Sequence, residues 1–157
     1  MRVLVLGVGN VLLSDEGLGV KALEELKKTF KFPPNVKLAE GGTLGIDLLY
    51  LIEGFEKLLL IDAVLGGNPP GTLYKLKNHE VEVYLKRKVS AHELGLEEVL
   101  ALAGMLGKKP KEVVLIGMEP ERIEPSFELS HTVKGRLPLL LDEALKQLKE
   151  WGVNFLS

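Results

Sequence analysis

Three side chains in this sequence have the types and settings of metal-facing groups: Glu16, Asp62 and His92. Glu16 follows Asp15 in the glycine-rich stretch from Gly7 to Gly19. Asp62 ends the apolar run Leu58-Leu59-Leu60-Ile61 and precedes Ala63-Val64. A carboxylate in such a flank needs a hydrogen-bond network, a cation or a metal. His92 falls in Ser90-Ala91-His92-Glu93, which reads as a capping box, serine at the cap and glutamate three residues later. That places His92 in a first helical turn, where the positive end of the macrodipole disfavours imidazolium. Neutral imidazole is the form that binds a metal. Two carboxylates and one histidine with open positions make a hard-to-borderline site for zinc, nickel or another divalent ion. Simpler readings stand beside these. Glu16 complements a helix dipole, Asp62 caps a loop, and His92 is a surface residue beside a cap. His79, in a charged loop, and His131, after a cap, have weaker claims.

The elements must bring these residues together. Residues 2–8 are rich in Val and Leu without clean alternation, the pattern of a strand covered on both faces. The glycine turn follows, with Ser14 or Asp15 as cap and a helix whose Val20, Leu23, Leu26 and Phe30 share one face. Residues 36–39 read as a short strand. Gly41-Gly42 then turns the chain, and Thr43 caps a helix that stops at Gly54. Residues 56–64 form a second doubly covered strand with Asp62 at its C-terminal end. Residues 72–76 follow without an intervening helix, so that strand should run antiparallel to its predecessor. Residues 78–88 are irregular or weakly helical. A helix from the capping box reaches Met105, residues 112–118 form the last central strand, and a final helix begins at Ser130, with Pro138 expected to kink or restart it. This alternation makes a three-layer α/β domain with a mostly parallel sheet. In such sheets sites form beyond the C-terminal strand ends, where Glu16, Asp62 and Glu119 all fall. The first and third strands are expected to be neighbours, so Glu16 and Asp62 could face one another.

The composition narrows the function. At 157 residues the chain is expected to be one domain, 1–157. A net charge of −2 argues against binding nucleic acid through its phosphates. The absence of cysteine excludes disulfides, thiolate metal sites and a cysteine nucleophile. The N-terminus is not a convincing signal peptide, and residues 57–67 are too short to span a bilayer. A cytoplasmic protein without membrane insertion is the expectation, and a monomer, since no long apolar segment is left exposed. Gly7-Val8-Gly9 begins like a dinucleotide fingerprint, but Leu12 stands where the third glycine belongs.

Five segments, in order, resemble the hydrogenase maturation endopeptidases, which remove a C-terminal peptide from the precursor of the nickel–iron hydrogenase large subunit. They are Gly-x-Gly-Asn-x-Leu-x-x-Asp-Glu-Gly-x-Gly from Gly7 to Gly19, Gly41-Gly42-Thr43-x-Gly45, Ile61-Asp62-Ala63, Ser90-x-His92 and Gly117-x-Glu119-Pro120. The resemblance implies metal-contacting and catalytic roles for Glu16, Asp62 and His92. It implies substrate recognition through the turn at Gly41, Gly42 and Thr43. Asn10 and Asp15 would support the metal-facing groups from behind. The implied fold is a five-stranded mixed sheet between helices, with one antiparallel strand that Leu73 to Leu76 fits. The implied nickel arrives in the substrate, and no tightly bound organic cofactor is expected. The implied partner is the hydrogenase large-subunit precursor. Two rival readings of the same residues are a non-enzymatic metal carrier and a nucleotide-binding oxidoreductase.

Overall fold

Two apolar faces on the three central strands dictate the architecture. The computed structural model describes residues 1–40, 47–87 and 109–157. Within them, β1 (Val3–Gly7), a 3-10 turn (Ser14–Gly17), α1 (Leu18–Thr29), β2 (Val36–Glu40), α2 (Asp47–Ile52), β3 (Lys57–Ala63), β4 (Leu73–Lys77), α3 (His79–Arg87), β5 (Glu112–Met118) and α4 (His131–Glu150) follow in order. The strands form one five-stranded sheet in the order β2-β1-β3-β5-β4. All pairs are parallel except β4 with β5.

Alternate residues of the central strands feed two cores. Val3, Val5, Leu59, Ile61, Val114 and Ile116 meet α1 and α4 on one face. Leu4, Leu6, Leu58, Leu60, Val113 and Leu115 meet Ile52, Phe55 and Val81 on the other. Burying both faces is why these strands read as continuous apolar runs. The three-layer α/β/α arrangement and the mostly parallel mixed sheet are as expected.

Several local expectations change. The strand at residues 73–77 does run opposite to β3, but its hydrogen-bonded neighbour is β5, with Leu73 opposite Met118 and Lys77 opposite Val114. The loop after β3 crosses the end of β5, with the Val64 amide on the Met118 carbonyl, and returns along its outer side. The charged segment 78–88 contains a regular helix, α3. Val81, Tyr84 and Leu85, at helical spacing, pack on the second core and outweigh the surrounding charges. Neither Ser14 nor Asp15 caps α1. Its N-cap is Gly17, without a side-chain cap bond. Ser130 caps α4 as expected, accepting from the Val133 amide. Pro138 neither ends nor restarts α4, which is assigned as one element from His131 to Glu150. Pro138 lies on an exposed stretch with Lys134, so the carbonyl it leaves unbonded can reach water. The turn at Gly41, Gly42 and Thr43 and the helix expected to carry His92 lie outside the described residues.

Register brings the first functional strand ends together. Gly7 pairs with Ile61 in the β1–β3 ladder, and the Val8 amide donates to the Ile61 carbonyl at 2.9 Å. The start of α1 presses on this same point. A Cβ on Gly19 would overlap the backbone of Ile61 and of Val8. Neither neighbour yields easily, because Ile61 lies in the central strand β3 and Val8, one residue past β1, is hydrogen-bonded to it. Gly19→Ala is therefore expected to destabilise the protein by about 3 kcal/mol, lowering the thermal midpoint by roughly 6–12 °C in a calorimetric scan.

Candidate active site

The C-terminal ends of β1, β3 and β5 lie side by side in the sheet, each carrying or followed by an acidic residue, Glu16, Asp62 and Glu119, and the crevice of such sheets lies beyond these ends. Asp62 is the second-last residue of β3 and is only 4% exposed. Its Oδ1 accepts from the Ala63 amide at 2.8 Å, and across the ladder it faces Gly117. A Cβ at Gly117 would overlap the Asp62 carbonyl and the Val64 side chain, so β5 must carry glycine to lie this close.

Glu16 arrives in the 3-10 turn after β1 and is half-buried. Gly9 explains how the turn reaches β3. Its φ of 130° is left-handed, and a Cβ there would overlap the Glu16 carbonyl and lie 3.5 Å from Asp62 Oδ1. The backbone of Glu16 and the carboxylate of Asp62 therefore both lie beside Gly9. The structure brings these two expected site residues to the same crevice. His92 lies outside the described residues. Among those described, no three histidine, cysteine or acidic side chains are grouped as a metal would require.

Asp15 has a different place from the cap expected of it. It is fully buried, and its carboxylate gathers the segment after β5. Oδ2 accepts from the amides of Glu121 and Arg122, both at 2.9 Å, and from Ser130 Oγ at 2.7 Å, while Oδ1 accepts from the Ser130 amide at 2.7 Å. Ser14 adds to the clamp. Its φ is 52°, and its hydroxyl donates to the Glu128 carbonyl at 2.7 Å and accepts from Arg122 Nε at 3.3 Å. Asn10 shapes the turn itself, its Oδ1 accepting from the Leu12 amide at 2.9 Å.

Glu119 closes the crevice on the β5 side and does more than end a strand. Only 6% exposed, it accepts through Oε1 from the amides of Gly66 and Asn68 at 2.9 and 3.1 Å and from the Tyr74 phenol. Burial alone would raise its pKa. The phenol and the amides of Gly66, Asn68 and Gly67 outweigh that and hold it below the ordinary carboxylate value. Burial and the same carboxylate push the Tyr74 phenol up. One buried acid thus fixes the loop that follows Asp62. Glu119 was visible in the Gly117-x-Glu119-Pro120 segment as a strand end. Tyr74 gave no signal, because its partner is distant in sequence.

Comparisons with known proteins agree with this arrangement. A family model described as hydrogenase maturation protease matches residues 20–147, beginning after Glu16. The hydrogenase 2 maturation protease of Escherichia coli K12 is 40% identical over 155 residues, which cover 98% of this chain and 94% of that protein. The hydrogenase expression/formation protein HupD of Rhodobacter capsulatus is also 40% identical, over 98% of this chain and 74% of its own. The structure of the hydrogenase maturating endopeptidase HybD from E. coli superposes with a TM-score of 0.95 at 39% identity, covering 99% of this chain and 97% of that one. That of the [NiFe] hydrogenase maturation protease HybD from Thermococcus kodakarensis gives 0.73 at 31% identity, over 94% and 99%.

Two outcomes follow from the buried acids. Asp15→Asn turns one acceptor oxygen into a donor facing donors, and is expected to cost about 3 kcal/mol, read as a lower urea midpoint with unchanged slope. Tyr74→Phe is expected to cost about 2 kcal/mol at neutral pH. A carboxylate whose folded pKa is lowered stabilises above its unfolded value and loses that contribution as pH falls through the folded value. The variant's Glu119 is less depressed, so it has less to lose in acid and completes that loss at a higher pH, and the gap to wild type should close as pH falls through the wild-type folded value. Urea unfolding across pH 3–7 measures both effects.

Proposed function

The chain belongs to the hydrogenase maturation protease family and is an endopeptidase of hydrogenase maturation, and from that membership we propose that it removes the C-terminal peptide of a nickel-loaded nickel–iron hydrogenase large-subunit precursor. The observation that carries the reading is the convergence of Glu16 and Asp62 about Gly9 at the strand ends. Two carboxylate segments meet there where a protein chain can lie across the crevice. In this reading Glu16, Asp62 and His92 contact the nickel that the substrate carries. Carboxylate oxygens and a neutral imidazole suit a borderline divalent ion. The ion is part of the substrate, so the enzyme recognises a finished metal centre before cutting. Gly41, Gly42 and Thr43 contribute to recognising the precursor.

The chemistry open to these side chains is limited and specific. A carboxylate at the crevice can take a proton from water and return it to the leaving amine. Holding the peptide by its metal places the scissile bond within reach of that group and supplies part of the rate through orientation. Asp15 and Asn10 act from behind, by holding the turn that presents Glu16.

A cleavage assay on purified precursor tests the reading. Wild-type enzyme should cut the nickel-loaded precursor and leave the nickel-free form intact. Glu16→Gln, Asp62→Asn and His92→Ala should each reduce cutting by about 100-fold or more. Equal cutting of both precursor forms would sink the recognition of nickel. Normal cutting by all three variants would sink the site. Tight metal binding by the isolated protein, with no cleavage of any precursor, would favour a carrier instead.

A further inference from the structure

Among the described residues, four of the eight large apolar side chains left exposed lie on the segments that leave the strand ends: Leu12, Leu65, Ile123 and Phe127. Scattered surface leucines need no explanation, but a local group does. The backbone gathers three of these four. Leu13 and Ser126 form an isolated parallel bridge, the Ser126 amide donates to the Leu12 carbonyl at 3.0 Å, and the Ser14 amide donates to the Ser126 carbonyl at 2.8 Å. Leu12, 53% exposed, and Phe127, 70% exposed, therefore flank one bridge between two loops. Ile123, 44% exposed, follows Arg122, whose amide Asp15 holds.

This ridge is held in place by buried bonds. Asp15 binds residues 121, 122 and 130, and Ser14 binds residue 128, so both ends of the loop are tied to the turn that carries Glu16. The exposed apolar groups keep a set position relative to the crevice. Docking on them orders little chain, which favours affinity. Exposed Glu121, Arg122, Glu124 and Glu128 surround them, a polar rim about an apolar centre.

We infer that Leu12, Ile123 and Phe127 form a docking ridge for an apolar patch on the folded body of the protein substrate, beside the segment that is cut. The inference rests on the endopeptidase reading above. A folded protein that lays its C-terminal segment against Asp62 must overhang the rim of the crevice. The ridge is part of that rim, on the same turn as Glu16. Its occupant is therefore the body of the substrate, while Glu16 and Asp62 meet the segment itself.

The test measures the steady-state cleavage and the equilibrium binding of the nickel-loaded large-subunit precursor. The enzymes compared are wild type, the double variant Leu12→Ser/Phe127→Ser, Ile123→Ser, and the control Leu139→Ser. Leu139 is as exposed as Ile123 but lies on α4, away from the strand ends. The double variant should raise KM and Kd about tenfold with kcat changed less than twofold, the signature of lost binding shared by ground and transition states. Ile123→Ser should move both in the same direction, and its agreement stands if the double variant fails to fold. The control should match wild type. KM and Kd within twofold of wild type in the ridge variants would overturn the inference while leaving cleavage itself established. A fall in kcat at constant KM would overturn it too. So would sedimentation of wild type as a dimer that the double variant dissolves, since the ridge would then cover a second copy. A wild-type enzyme that cuts no precursor removes the functional reading first, and this inference with it.

Discussion

The approach of backbone to backbone at Gly9 and Gly19 is the constraint on which the crevice depends. At both positions a single methyl group would meet peptide atoms of a neighbouring segment, and neither segment has room to retreat. Gly19 lets α1 begin directly over the β1–β3 ladder. Gly9 lets the turn before it fold back until the Glu16 carbonyl and the Asp62 carboxylate both lie beside it. The glycines that first look like a phosphate cradle serve close packing here, with peptide groups and a carboxylate occupying the space a ligand would take. That use fits the family to which the chain belongs and leaves the nucleotide reading without support.

Buried acids then do the local organising, each by a different balance. Asp15 has no exposed surface, and three amides and a hydroxyl take the place of water around its carboxyl oxygens. Glu119 is almost as buried, and there the donors visibly win over burial, because its acidity increases. Both acids tie down the loops on either side of Asp62 and Glu16. These outer groups position the segments that bear Asp62 and Glu16. An ion pair such as Lys57 with Glu112, at 2.7 Å near the opposite ends of the strands, is half-exposed and contributes less to this order.

Much of this was legible from the order of residues alone. Val3 to Leu6 and Leu58 to Ile61 announce two-sided burial because no polar residue interrupts them, and that sufficed for the three-layer arrangement. Glu16, Asp62 and Glu119 were readable as strand-end acids for the same reason. The helix α3 was hidden because charged residues are as many as apolar ones along it, and only the packing of Val81, Tyr84 and Leu85 reveals which face matters. The clamp of Asp15 could not be read at all. An aspartate beside a glycine turn has a short-range explanation as a cap, and its partners lie more than 100 residues away. Tyr74 is hidden in the same manner, since its Glu119 partner becomes a neighbour only when β4 folds back along β5. Local patterns expose burial and periodicity, whereas hydrogen bonds between distant loops leave no trace in either.

The bond from Asp15 to Ser130 spans 115 residues and has a consequence in time as well as in space. The ribosome makes the Glu16 turn well before the groups that hold it, which lie more than 100 residues further on. A nascent chain that has emerged only as far as β5 carries Asp15 with none of its four donors. The turn and the rim therefore mature together, only after Ser130 has emerged. The turn that presents Glu16 is thus completed from behind, by a segment made long after it, and is held only once the chain around Ser130 is free to dock.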